Sequence, residues 1–113
     1  MSKRTPNLLL EDILESANKI LNYTKGLSFE EFSMDVKTVD AVIRNFEIIG
    51  EATNLLPDEL KEKYTEIDWY RIRGFRNRVV HDYFGVDINI LWNITINQIP
   101  ALVTSISRVI SKH

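Results

Sequence analysis

The 113-residue chain has no cysteine, only four glycines and three prolines, and only two histidines, His81 and His113. Without cysteine there is no disulfide and no thiolate metal site. A reducing cytoplasm is the compartment this composition fits. So few turn residues leave little room for loops, and long helices follow. No apolar run approaches the roughly 18–20 residues that a membrane helix needs. The start, Met-Ser-Lys-Arg-Thr-Pro, lacks the apolar core of a secretion signal. The reading is a soluble cytoplasmic protein with no membrane role. No strand-like alternation persists. Net charge is −2 with 27% charged residues, so the chain is not a generally basic nucleic-acid binder. Any phosphate site has to be a local patch.

The length sets one domain over residues 1–113, with a modest core that oligomerisation would help. Thr5-Pro6 reads as a cap and first turn. Leu9, Leu10, Ile13, Leu14, Ala17, Ile20 and Leu21 follow at helical spacing, and Lys25-Gly26 stops the helix. Ser28-Phe-Glu-Glu31 is a capping box. Asp35 caps a second long helix with Val36, Val39, Val42, Ile43, Phe46, Ile49 and Leu56 on its apolar side, ended by Leu56-Pro57. Asp58–Tyr64 is a short charged helix. Asp68 caps a third helix with Trp69, Ile72, Phe75, Val79 and Val80 as its apolar side. Gly85 breaks the chain, and Asp87 caps the last helix, which Pro100 should kink or interrupt. The expected fold is an all-α, up-and-down helical bundle of about four main helices with short extra helical turns.

The segment Arg71–Phe84 gathers four of the seven arginines, Arg71, Arg73, Arg76 and Arg78, and ends in His81 and Tyr83. Guanidinium is a planar fork suited to phosphate oxygens. Imidazole exchanges a proton near neutrality. The same residues also suit a solvated helix face with His81 as an end cap. On the preceding long helix Arg44, Glu47 and Glu51 share one stripe. They form either an ordinary exposed charge row or a set from which Glu47 or Glu51 orients the arginines.

Arg76-Asn77-Arg78-Val79-Val80-His81-Asp82-Tyr83 has an Arg, a polar residue, three more, His, any residue, Tyr. It resembles the signature of the HEPN superfamily, in particular its HepT-like branch. The flanks Arg44–Ala52, Ile67–Gly74, Val86–Trp92 and Gln98–Leu102 are similar to that branch too, so the resemblance covers nearly the whole chain. It implies Arg76 and His81 as a catalytic pair and Asn77 as a polar helper, with Arg73, Arg78, Glu47 and Glu51 in support.

Arg76 and His81 are five apart, about 140° around a straight helix. Either the helix ends near Val80, or a twofold dimer builds one cleft from two chains. The resemblance implies both, with the motifs facing across a homodimer.

The chain has no ligand cluster for a metal and no glycine-rich nucleotide loop, so neither metal nor cofactor is expected. What fits is acid–base chemistry at an RNA phosphate, with the 2′-hydroxyl as nucleophile. Cyclic phosphate and 5′-hydroxyl ends are then the products, and DNA is untouched. The resemblance implies an endoribonuclease toxin of a type VII-like toxin–antitoxin pair. Its cognate partner would be a minimal nucleotidyltransferase antitoxin that silences it by AMPylation of Tyr83. The alternative is a non-catalytic helical module that holds substrate for a two-subunit nucleotidyltransferase. Adjacent Tyr83 and Phe84 cannot easily point the same way, so Phe84 is expected inward and the Tyr83 hydroxyl outward.

Overall fold

The computed structural model describes residues 4–81 and 85–113, with His81 described through its backbone alone. The chain runs through α1 (Pro6–Thr24), α2 (Phe29–Met34), α3 (Val36–Leu55), α4 (Asp58–Lys63), α5 (Trp69–Arg73) and α6 (Phe75–Val79). A pair of two-residue strands follows, β1 (Val80–His81) and β2 (Gly85–Val86), and then α7 (Ile88–Asn97) and α8 (Ile99–Lys112). The fold is all-α, a helical bundle around one hydrophobic core.

The helix starts follow from local chemistry. The Thr5 hydroxyl accepts from the Leu8 amide. Ser28 and Glu31 cap each other's backbone, closing the expected box. Asp35, Asp68 and Asp87 accept from the amides of Thr38, Arg71 and Ile90. Each bond satisfies an amide that the first turn would leave unpaired.

Helix α1 packs along α3 and α8, and the short α5 and α6 lie on α3. Leu10, Ile13, Ile20, Phe46, Ile49, Leu91, Ile94 and Ile106 are fully enclosed. Burying side chains of this size contributes about 1.5–3 kcal/mol each. Phe46 and Phe75 stack obliquely, with ring centroids 5.7 Å apart, and this contact seats α6 on α3. On the far side, Phe32 meets Trp92 at 5.0 Å and ties α2 to α7.

Four local expectations change. The helix through the arginine run is two short helices. At Gly74 the backbone turns to φ −91 and ψ 0, and its amide donates to the Tyr70 and Arg71 carbonyls. That closes α5 tightly and restarts the chain as α6. The last helix is also two, divided at Gln98. Pro100 lies in the first turn of α8, where a missing N–H costs nothing, so the interruption expected of it falls just before it, at Gln98, in place of a kink. A strand pair exists where none is expected, with Val80 opposite Val86 and His81 opposite Gly85. Gly85 sits at φ +79, a conformation side chains resist, and this holds its place in the pair. Finally, Val36 is not on the buried side of α3. It is 68% exposed, in the first turn of α3.

Candidate functional site

The arginine run folds onto the middle of α3, and a single close contact sets the distance. A Cβ on Gly50 would stand 3.0 Å from the carbonyl oxygen of Arg73. A side chain there would need the Arg73 carbonyl to give by a few tenths of an ångström, so glycine suits this close approach of the two backbones.

Above that contact lies a groove of about 400 Å³, within the range of about 300–1,000 Å³ typical of ligand sites. Helix α3 contributes Arg44, Glu47, Glu51 and Asn54 to it. Arg73 comes from α5, and Arg76 and Asn77 from α6. Arg44, Glu47 and Glu51 therefore do share one stripe, and it faces the arginine run.

Arg76 is half-buried, and the other two arginines are exposed. Phe75, 2% exposed beside it in sequence, anchors α6 in the core and so fixes the base of the Arg76 side chain. The Arg76 Nε is buried without a hydrogen-bond partner among the described residues. An unpaired buried donor on a cation costs free energy until an acceptor arrives. Among the described residues Arg44, Arg73 and Arg76 form no ion pair, even with Glu47 and Glu51 in the same groove. Among the described residues three guanidiniums against two carboxylates give the groove a positive balance, although the whole chain is slightly acidic.

The remaining predicted residues lie elsewhere. Arg78 lines an adjoining cavity with Tyr70 and Arg71, and Arg73 and Asn77 border both spaces. Helix α6 ends at Val79, and Val80 is already extended at φ −98 and ψ 118. The chain thus leaves the helix just before His81, which is one of the two ways to relieve the five-residue spacing. The His81 side chain lies outside the described residues, as do Tyr83 and Phe84, so the orientations expected for them are not described. No group of three or more metal-ligating side chains occurs among the described residues. None of the described helices is long and apolar enough to cross a membrane.

Sequence reasoning missed Asn54, Gly50 and Tyr70. Asn54 continues the Arg44–Glu47–Glu51 stripe by three residues, which was a legible signal. Gly50 stands in the middle of a strongly periodic helix, where glycine costs about 1 kcal/mol against alanine, and that cost is itself a hint of close approach.

The fold and groove define an all-α protein with an arginine-lined cleft open to an anion. The family profile described as Ribonuclease HepT-like matches residues 13–109, and the chain belongs to that family. A Thermococcus cleftensis protein named "Probable ribonuclease HepT" is 42% identical over 100 residues, spanning 88% of this chain and 91% of its own. A Caldanaerobacter subterraneus subsp. tengcongensis protein is 38% identical over 109 residues, covering 96% and 97%. A Methanocaldococcus jannaschii protein is 38% identical over 110 residues, covering 97% and 91%. The last two are each named "Putative RNase". No solved structure matches the chain.

Proposed function

We propose that this protein is a metal-independent endoribonuclease, the toxin of a two-protein toxin–antitoxin pair acting in the cytoplasm. The observation that carries the reading is Arg76: a half-buried guanidinium whose Nε has no hydrogen-bond partner among the described residues, in an arginine-lined groove, five residues before His81. Family membership supports the same chemistry.

In this reading an RNA phosphate enters the groove and accepts hydrogen bonds from Arg76, with Arg73 and Asn77 beside it. His81 takes the proton of the 2′-hydroxyl or supplies one to the departing oxygen. The 2′-oxygen bonds to phosphorus and the bond from phosphorus to the 5′-oxygen breaks. The proton lost at the 2′-oxygen is balanced by one gained at the 5′-oxygen. Arg76 stabilises the charge that gathers on the phosphate oxygens. Glu47 or Glu51, unpaired with these arginines among the described residues, is the group in the same groove that can orient them once substrate enters. Two chains pair about a twofold axis with their arginine runs facing each other.

Control comes from a small nucleotidyltransferase partner. The Tyr83 oxygen attacks the α-phosphorus of ATP, pyrophosphate leaves and AMP stays on the tyrosine. The added phosphate then competes for the cations that would hold RNA.

The test is incubation of the purified, unmodified chain with end-labelled RNA in excess chelator. Cyclic phosphate and 5′-hydroxyl ends are expected. If the chain instead leaves RNA intact but binds nucleotides and raises the activity of a partner nucleotidyltransferase, it is the non-catalytic module.

A further inference from the structure

Next to the Arg76 groove lies a second cavity of about 420 Å³, bounded by Tyr70, Arg71, Arg73, Gly74, Asn77 and Arg78. Arg73 and Asn77 form the wall between the two. No carboxylate lines this second space among the described residues, whereas Glu47 and Glu51 line the first. Among the described residues the one ion pair these arginines form is Arg71 with Asp68, at 3.7 Å and exposed.

Tyr70 is the unusual member. Its neighbour Trp69 is buried and donates its indole N–H to the Tyr64 carbonyl at 3.0 Å. Tyr70 therefore points away from the core, and it is 78% exposed. An aromatic ring so open carries little packing energy. It is not loose, however. The Arg73 guanidinium carbon lies 5.3 Å from the Tyr70 ring centroid, three residues on along α5. A guanidinium at that distance is attracted to the ring face and steadies it. A steadied, exposed ring among guanidiniums has the two components of a single-strand nucleic-acid site: a stacking surface for a base and cations for its phosphate.

We infer that Tyr70 is the stacking platform for an RNA base next to the scissile phosphate, with Arg71 and Arg78 taking the phosphate that follows. Arg73 belongs to both spaces and sets their spacing. The inference rests on the ribonuclease reading and adds to it where the strand runs on leaving the groove. The site would favour unpaired RNA, because a base inside a duplex has no free face to stack. It reads no sequence, since every base has such a face.

The experiment measures binding of a fluorescein-labelled single-stranded RNA of twelve nucleotides by anisotropy, in chelator. It uses the full chain carrying His81→Ala to prevent cleavage. Tyr70→Ala in that background should weaken binding about five- to hundred-fold, the range for loss of one stacked base. Tyr70→Phe and Tyr70→Trp should bind as the parent does, because the ring and not the hydroxyl is used. A strand of the same length without bases should bind Tyr70→Ala and its parent equally. Since Tyr70 is exposed, the melting temperature of Tyr70→Ala should match that of its parent.

If Tyr70→Ala binds RNA as tightly as its parent while the otherwise wild-type chain cleaves, the platform is wrong and the ribonuclease reading stands. If Tyr70→Phe is as weak as Tyr70→Ala, stacking is not the interaction. If Tyr70→Ala changes the sedimentation of the free protein, the ring lies inside the contact between the two chains and not in the cleft that their arginine runs face, and the platform is overturned. A chain that neither cleaves nor binds RNA overturns both.

Discussion

Gly50 of α3 and Arg73 of α5 meet backbone to backbone, so that a Cβ on Gly50 would stand 3.0 Å from the Arg73 carbonyl oxygen. This contact fixes the width of the groove, because Arg73 and Arg76 hang from the short helices that rest on it. Gly50→Ala tests it. Alanine gains up to about 1 kcal/mol of helix propensity, which offsets much of the cost of moving the Arg73 carbonyl. Stability should therefore change by less than about 1 kcal/mol, while RNA cleavage falls about ten-fold as the arginines move. Gly50→Val adds bulk that cannot be relieved and should lose about 1–3 kcal/mol as well as activity. Urea unfolding and cleavage assays on the two variants separate these effects. Full activity in Gly50→Val would show that the contact does not position the site.

Much of this architecture was legible because its causes are local. Thr5, Ser28, Asp35, Asp68 and Asp87 cap helices through side chains that reach only three residues along the chain. The stripe of Arg44, Glu47 and Glu51 was legible for the same reason. What was not legible depends on packing between distant segments. The break at Gly74 is one such feature: Ile72 and Phe75 are spaced three apart, as on one helix face, yet the backbone turns between them and the Gly74 amide closes α5. The inward Trp69 was legible from its spacing with Ile72 and Phe75, but the cavity beside the outward Tyr70 was not. The opposed pair His81 and Gly85 has no periodic signal at two residues per strand.

Asp35 gives the fold a pH dependence of known sign. The Thr38 hydroxyl donates to its carboxylate at 2.7 Å and the Thr38 amide donates at 3.1 Å, and together they hold its pKa below the ordinary value of 3.8. A lowered pKa stabilises the fold fully above that ordinary value, and the contribution fades as pH falls through the lower, folded one. Asp35→Asn keeps a capping oxygen and removes the titration. Chemical unfolding from pH 6 down to pH 2 should show the wild-type chain losing stability below about pH 4 more steeply than Asp35→Asn. Parallel curves would mean that the Thr38 bonds to the carboxylate do not survive in solution.

Tyr83 carries the regulatory part of the account. Treatment with ATP and the cognate nucleotidyltransferase should raise the intact mass by one or more AMP units and abolish cleavage. Peptide mapping should place the added mass on Tyr83. Tyr83→Phe should escape both the modification and the silencing. A mass increase that persists in Tyr83→Phe, or a partner that never transfers AMP, removes this mode of control.

Arg76 and His81 are proposed to cleave RNA without metal. The most direct measurement is the single-turnover cleavage rate of labelled RNA in excess chelator, for the wild-type chain, His81→Ala and Arg76→Lys. The wild-type chain should cleave. His81→Ala should be slower by about a hundred- to ten-thousand-fold with an unchanged helical spectrum. Arg76→Lys keeps the charge and loses the fork, and should be slower by about ten-fold or more, the value of one charged hydrogen bond. Cleavage that requires added magnesium and survives His81→Ala would contradict the claim.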